Sequence, residues 1–212
     1  MSEERLAAGL ERRREDFDLI TGQARFVDDL RPPKGRPEAL YMAVARSPYA
    51  HARIESIKLD AALASPGIVA AFAGSELVHG MRTHDYVPLP GLKNTERRPL
   101  AVGKVRYVGD PVAVVLADNR YVAIDALEQV EVDYSPLQAI IDPEAALAKD
   151  TPLLYEEFGS NTAFTTQLSG GDVEAIFERA DRIIQLRVIN QRLAPSSIEP
   201  RVCMFDLSLI HI

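Results

Sequence analysis

The chain is short of several residue types, and each shortage narrows what the protein can be. Its 212 residues include one cysteine, Cys203, so no disulfide can form within the chain and a reducing compartment is expected. A lone cysteine is more often a small buried apolar residue than a nucleophile, and we therefore expect Cys203 to be buried. The longest apolar runs, 68–73 and 112–117, are far too short to cross a bilayer.

Positive charge is also scarce. The formal net charge is -7 at pH 7, which argues against a basic surface that binds nucleic acid or anionic membranes. The one basic cluster, at 12–14, is bracketed by Glu11, Glu15 and Asp16, as is typical of a solvated or ion-paired stretch. No apolar segment follows it, so it does not resemble a secretory signal peptide. We expect a cytoplasmic protein with no nucleic-acid partner and no membrane span.

Apolar residues are plentiful enough for a packed core, at 47% of the chain. Their spacing and the turn residues between them predict helices that start at Asp60, at Asp118 or Asn119, at Asp142 and at Asp172. The order strand, turn, strand, helix, strand over 105–134 places sheet and helices around one core, which predicts an α+β fold. Predicted strands cover a short stretch within 21–29, then 39–46, 52–59, 68–72, 105–108, 112–117, 131–134 and 182–188.

Four stretches of the sequence resemble, in order, landmarks of one enzyme family. The first is 19–29, Leu-Ile-Thr-Gly-Gln-Ala-Arg-Phe-Val-Asp-Asp, and the second is 46–54, Arg-Ser-Pro-Tyr-Ala-His-Ala-Arg-Ile. The third combines Tyr-Val-Gly-Asp-Pro-Val-Ala-Val-Val at 107–115 with Val-Glu-Val-Asp-Tyr at 130–134, and the fourth combines Asn-Gln-Arg-Leu-Ala-Pro at 190–195 with Ile-Glu-Pro-Arg at 198–201. Together they resemble the large, molybdopterin-binding subunit of the molybdenum hydroxylases, the xanthine dehydrogenase, aldehyde oxidase and carbon monoxide dehydrogenase family, with the bacterial carbon monoxide dehydrogenase-like branch nearest in style.

The resemblance implies a domain plan for the chain. An N-terminal extension at 1–18 precedes an α/β hammerhead domain at 19–148, a linker at 149–171 and the truncated start of the molybdopterin-binding domain at 172–206. Residues 207–212 depart from the turn and strand expected there and resemble the translation of a sequencing adapter, so we interpret them as a non-native tail on a fragment of a longer protein.

The resemblance also implies a chemistry for the complete enzyme. A molybdenum centre on a molybdopterin dinucleotide hydroxylates CO, an aldehyde, a purine or another N-heterocycle, with water as the oxygen source. Electrons leave through [2Fe–2S] clusters to FAD on partner subunits or domains, and the resulting heterotrimer pairs into a homodimer. The cofactor supplies the redox chemistry, and the protein supplies placement and electrostatics. The catalytic glutamate and the glycine-rich cofactor contacts lie downstream of 198–201 in the family, so we assign no catalytic, cofactor-binding or metal residue here and expect the fragment alone to be inactive.

Several residues invite a functional assignment that their surroundings do not support. His51 lacks neighbours at ligand spacing, which favours a hydrogen-bonded structural histidine. His84 next to Asp85, with His79 nearby, lacks a nucleophile and so does not make a triad. Glu199 comes too early to be the family's base and is expected to be a structural carboxylate paired with Arg192 or Arg201. The loops 109–111 and 170–172 lack P-loop spacing and predict a tight turn and a helix start capped by Asp172.

Two other kinds of function stay open. A free-standing hammerhead module could serve subunit assembly without catalysis, and continuation of the reading frame past residue 206 would argue against it. An enzyme that uses only these residues ranks last, because no nucleophile–base pair or metal cluster is evident in the sequence.

Overall fold

The computed structural model describes residues 13–32, 34–35, 37–77, 91–93, 95, 98–199 and 201–205 of the chain. Residues Glu38–Asp181 form one compact unit. The described residues before 38 and after 181 belong to a second unit.

Two small antiparallel sheets form the framework of Glu38–Asp181. The first sheet has the strand order β1-β5-β3 and the second has the order β4-β2-β6, so neighbours in space are mostly not neighbours in sequence. This mixture of sheet and helix is the α+β architecture that the sequence predicts. The strands are β1 Tyr41–Arg46, β2 Ala52–Lys58, β3 Ile68–Ala73, β4 Lys104–Val105, β5 Pro111–Ala117 and β6 Glu131–Pro136.

The described helices are all short, with at most six residues each. Segments of this length are not stable alone in water and depend on packing and caps. The carboxamide oxygen of Asn119 accepts a hydrogen bond from the Tyr121 N–H, so Asn119 rather than Asp118 provides the cap. Asp60 is the first residue of its helix and makes no side-chain cap, contrary to the prediction. The helices are α1 Asp16–Ile20, α2 Asp60–Leu63, α3 Arg120–Asp125 and α4 Val173–Glu178.

The core lies on the face of the first sheet that α3 and the following 3-10 turn Ala126–Gln129 cover. On the central strand β5, Ala113, Val115 and Ala117 are fully buried against this layer. The small side chains leave room for α3, whose own Ala123 is buried. The alternate residues of the strands point to the other face, which is apolar but less covered; it carries Met42, Val44, Val114, Leu116 and Phe72.

Two predicted strands are not present. Residues 182–188 lie in an extended segment without strand pairing, with Ile184 and Leu186 strongly exposed. Within 21–29 the structure has turns and the 3-10 helix Val27–Asp29 instead of a strand. A strand requires a partner for its backbone groups, and the described residues offer none to either segment.

Candidate functional site

Two turns interlock where β1 ends. The Ser47 N–H donates to the Asp110 carbonyl at 2.9 Å, and the Gly109 N–H donates to the Ser47 carbonyl at 2.8 Å. The Arg46 guanidinium adds a third link, because its Nη1 donates to the Gly109 carbonyl at 2.9 Å. The stretches 46–54 and 107–115, which the sequence analysis singled out separately, therefore form one structure through reciprocal backbone bonds.

The second of these turns is shaped by a glycine and an aspartate. Gly109 has φ +89, in the left-handed region where a side chain is strained. The Asp110 carboxylate folds back to accept a hydrogen bond from the Arg106 N–H at 3.0 Å. Partial burial, and after it the Asp110 carboxylate, raises the pKa of Tyr107. This is the tight turn that the sequence predicts at 109–111, with the carboxylate used to hold the turn.

An aromatic pair joins the turn after β1 to the second sheet. Ser47 is buried, and its hydroxyl accepts from the Tyr49 N–H at 3.0 Å while lying 3.1 Å from the Tyr49 carbonyl. The rings of Tyr49 and Tyr134 lie 5.2 Å apart at 54°, a tilted geometry that aromatic pairs favour. Burial raises the pKa of Tyr134, a hydrogen bond with Ser47 lowers it, and the Asp110 and Tyr49 charges raise it further. Tyr134 of the 130–134 stretch thus joins the same cluster.

His51 lies beside this cluster and is nearly fully buried. Its Nδ1 is 2.8 Å from the Gln138 carbonyl oxygen. A carbonyl oxygen can only accept, so Nδ1 carries the hydrogen. In the described part of the chain Nε2 has no hydrogen-bond partner. The described residues also hold no group of three His, Cys, Asp or Glu side chains placed to bind a metal, and His51 is the hydrogen-bonded structural histidine that the sequence predicts.

Three basic residues clamp a later segment of the chain onto this end of the fold. Lys104 is buried, and its Nζ lies 2.5 Å from Oε1 of Glu156. The Arg106 guanidinium carbon lies 4.2 Å from the centre of the Tyr155 ring, a cation–π contact, and Lys93 Nζ donates to the Phe158 carbonyl at 3.1 Å. The hydrogen bond from Lys104 is the main reason that the pKa of Glu156 is lowered.

The clamped segment is closed on itself by one amide side chain. Asn161 accepts from the Leu154 N–H at 2.9 Å and donates to the Ala146 and Pro152 carbonyls at 3.1 and 3.0 Å. Residues 145–163, which we call the strap, therefore pack on the unit Glu38–Asp181. The predicted linker at 149–171 overlaps the strap, and its boundaries stay a prediction.

Some predicted residues behave differently. Cys203 is exposed, so the expectation that it is buried is wrong; no described strand packs over the extended segment that carries it. Glu199 makes no ion pair with Arg192 or Arg201 in the described part, where all three are exposed. Asp172 does cap α4, accepting from the Ala175 N–H at 3.1 Å. His79, His84, Asp85 and 206–212 lie outside the described residues.

Sequence reasoning missed the contacts that join the motifs. It did not single out Ser47, Tyr134, Lys104 or Asn161 as members of one network, because each partner lies many residues away along the chain. A usable signal was present for Lys104, which precedes Val105 at the start of a predicted apolar strand. A lysine in such a position needs a carboxylate or carbonyl partner.

Comparison with known proteins places this arrangement in a family. The family profile described as "Aldehyde oxidase and xanthine dehydrogenase, a/b hammerhead domain" matches residues 21–138, more than half of the chain. The chain belongs to this family. The hammerhead match contains all six described strands and the interlocked turns.

Relatives extend the likeness beyond the hammerhead domain. The 6-hydroxypseudooxynicotine dehydrogenase complex subunit gamma of Paenarthrobacter nicotinovorans is 35% identical over 89% of this chain, and the carbon monoxide dehydrogenase large chain of Hydrogenophaga pseudoflava is 34% identical over 90% of it. A solved structure of a Cu,Mo-CO dehydrogenase matches with a TM-score of 0.63 and 34% identity over 81% of this chain and 22% of that one. The chain spans about a quarter of the length of the two curated relatives, 24% of each.

Proposed function

We propose that the chain is part of the molybdopterin-binding large subunit of a molybdenum hydroxylase and supplies its hammerhead scaffold. The observation that carries the proposal is the match to relatives along about nine-tenths of this chain but only about a quarter of theirs. The complete subunit would hydroxylate CO, an aldehyde, a purine or another N-heterocycle. One relative's name specifies a subunit of a dehydrogenase complex, which supports partner subunits carrying FAD and [2Fe–2S] clusters.

The described residues do not fit the molybdenum cofactor themselves. A pterin dinucleotide presents phosphates and many hydrogen-bonding groups, which call for glycine-rich loops, backbone N–H groups or basic side chains. The cleft of about 330 Å³ beside β1 is lined mostly by valine, alanine and leucine, with Arg46 and Tyr134 at its polar end. Lys104 and Arg106, the basic residues nearest the interlocked turns, are committed to Glu156 and to Tyr155. We therefore derive no cofactor contact from this chain.

The chain's own contribution is a rigid frame. The reciprocal bonds between Ser47 and the 109–110 turn, the Tyr49–Tyr134 pair and the strap fix the two sheets and the departing chain in one arrangement. Catalytic constellations must be held to within a fraction of an ångström, and they are held best by packed elements. A frame of this kind would position the downstream residues that bind cofactor and substrate.

The source gene tests this proposal directly. We expect the reading frame to continue past codon 206 with sequence that matches the remaining three quarters of the relatives, in place of 207–212. We also expect neighbouring genes for an FAD-binding and a [2Fe–2S] subunit. A genuine stop after residue 212 without redox neighbours would contradict the proposal.

A non-catalytic hammerhead module is the second candidate. One observation favours it: Glu38–Asp181 is a compact unit, so it has the form of a module that could act in subunit assembly. A purified chain that binds a redox subunit, from a gene that ends at residue 212, would establish this function instead.

A further inference from the structure

A cleft runs beside the outer edge of β1. It is bounded by β1 and the residues that follow it on one side and by β6 on the other, with β5 and the turn before β6 as its floor. Its volume is about 330 Å³. Apolar side chains dominate the lining, namely Val44, Ala45, Val112, Leu127, Val130 and Val132.

Backbone groups on both sides of this cleft lack strand partners. Within the described residues, β1 pairs only with β5 and β6 pairs only with β2, so each has a free outer edge. In an antiparallel pair about half of the backbone N–H and C=O groups of an edge strand point away from its neighbour. A groove that combines apolar side chains with free strand edges suits an extended segment that can satisfy both.

The edges differ in how they are protected from such pairing. Strand β4 is two residues long, and β6 carries Glu131, Asp133 and Pro136, all features that discourage an added strand. In contrast, β1 has no charge and no proline from Tyr41 to Ala45. A bare edge beside an apolar cleft is a liability in a finished soluble protein, so this edge is expected to be covered in the complete one.

We propose that an extended segment of the polypeptide downstream of residue 205 adds to the β1 edge as a strand and places apolar side chains in the cleft. This inference rests on the proposed function, because the occupant belongs to the three quarters of the relatives' length that this chain lacks. The occupant is an extended stretch of alternating residues. Its alternate apolar side chains face Val44, Val112 and Val132.

Amide hydrogen exchange on the complete subunit, expressed from the extended reading frame in its assembled complex, tests the inference at residue resolution. An added strand protects all the amides of β1, so each should exchange at least about a hundredfold more slowly than a free amide. Slow exchange limited to the alternate amides that face β5 would overturn the inference while leaving the proposed function intact. Protection that depends on protein concentration would indicate a second copy and would also overturn it.

A matched pair of lysine variants gives a second readout. Val44→Lys places a charge in the cleft and should speed exchange of the outward-facing β1 amides at least about tenfold. Val69→Lys places the same charge on β3, the opposite edge of the same sheet, where Val69 is 56% exposed, and should leave β1 unchanged. An equal effect of both variants would count against the cleft. If Val44→Lys does not fold, the wild-type exchange pattern decides alone; absence of an extended reading frame would defeat inference and proposed function together.

Discussion

Gly109 shows how much of the interlocked turns depends on single residues. Its backbone is left-handed at φ +89, and no heavy atom lies within 4 Å of where a Cβ would be. The cost of a side chain there is conformational and not a clash. We predict that Gly109→Ala lowers the free energy of unfolding by about 1–2 kcal/mol, measured by chemical denaturation.

Gly170→Ala is the matched control for that variant. Gly170 also has open space around it, but its φ lies outside the left-handed region. Its stability change should stay within about 0.5 kcal/mol. Equal effects of the two substitutions would show that the left-handed turn at Gly109 is not what matters.

Gly74 presents the opposite case, a glycine required by contact. A Cβ on Gly74 would collide with the backbone carbonyl of Ala101, which cannot move aside as a flexible side chain can. Gly74→Ala should therefore cost about 1–3 kcal/mol by forcing the two backbone segments apart. Thermal unfolding would measure this, and unchanged stability would show that the 3-10 turn Gly74–Leu77 does not pack on 100–101 as described.

At the scale of elements, the strap depends on an uneven ion pair. Lys104 is buried while Glu156 is largely exposed. Removing the carboxylate with Glu156→Ala leaves an ammonium with no counterion in a buried place, which we expect to cost about 1–3 kcal/mol. Lys104→Met together with Glu156→Ala should recover much of that loss, because no buried charge remains. Denaturant unfolding of the three proteins measures the coupling; a double variant less stable than Glu156→Ala alone would contradict this account.

The same pair predicts a pH dependence. The pKa of Glu156 is lowered below its ordinary value of 4.5 in the folded chain, chiefly by the hydrogen bond from Lys104. The stabilisation is therefore complete above about 4.5 and is lost as the pH falls through the lowered folded-state value. The stability difference between wild type and Glu156→Gln should shrink over that range. The exposed pair Lys58–Glu131 provides the control, since Glu131→Gln should have little effect at any pH.

Elements were easier to predict than their partners. The apolar runs at 112–117 and 68–73 and the proline and glycine residues between segments predict most strands within one or two residues. Strand β4 is shorter than predicted because the Arg106 N–H bonds to the Asp110 carboxylate and leaves the sheet. The order β1-β5-β3 is not encoded in any local pattern, since it depends on packing between distant segments. The same reason explains the missed network of Ser47, Tyr134 and Asp110.

At the scale of the whole molecule, order is uneven. Residues 41–136 carry all described strands, whereas 182–199 have no helix or strand and expose Ile184, Leu193 and Ile198. Proteases attack such extended, exposed segments first. We predict that brief trypsin treatment of the isolated chain cuts after Arg182 and Arg192 before any site in 41–136, as mass spectrometry can show. First cuts inside 41–136 would mean that the hammerhead domain is not stable without the rest of the subunit.

A domain of this kind makes sense as part of a larger enzyme. The hammerhead family match, the relatives' greater length and the bare β1 edge agree that further polypeptide belongs against this frame. No described helix is long and apolar enough to cross a membrane. The structure assigns no substrate, because the described residues include no pocket equipped to hold one next to a redox centre.

Metal analysis of the natural complex tests the central claim most directly. The protein that begins with this chain should be purified from its source, its subunits identified by mass, and molybdenum and pterin measured on each. The account predicts a subunit about four times as long as this chain that carries both molybdenum and pterin. A natural product that ends near residue 212, or a full-length subunit whose active complex contains no molybdenum, would contradict it.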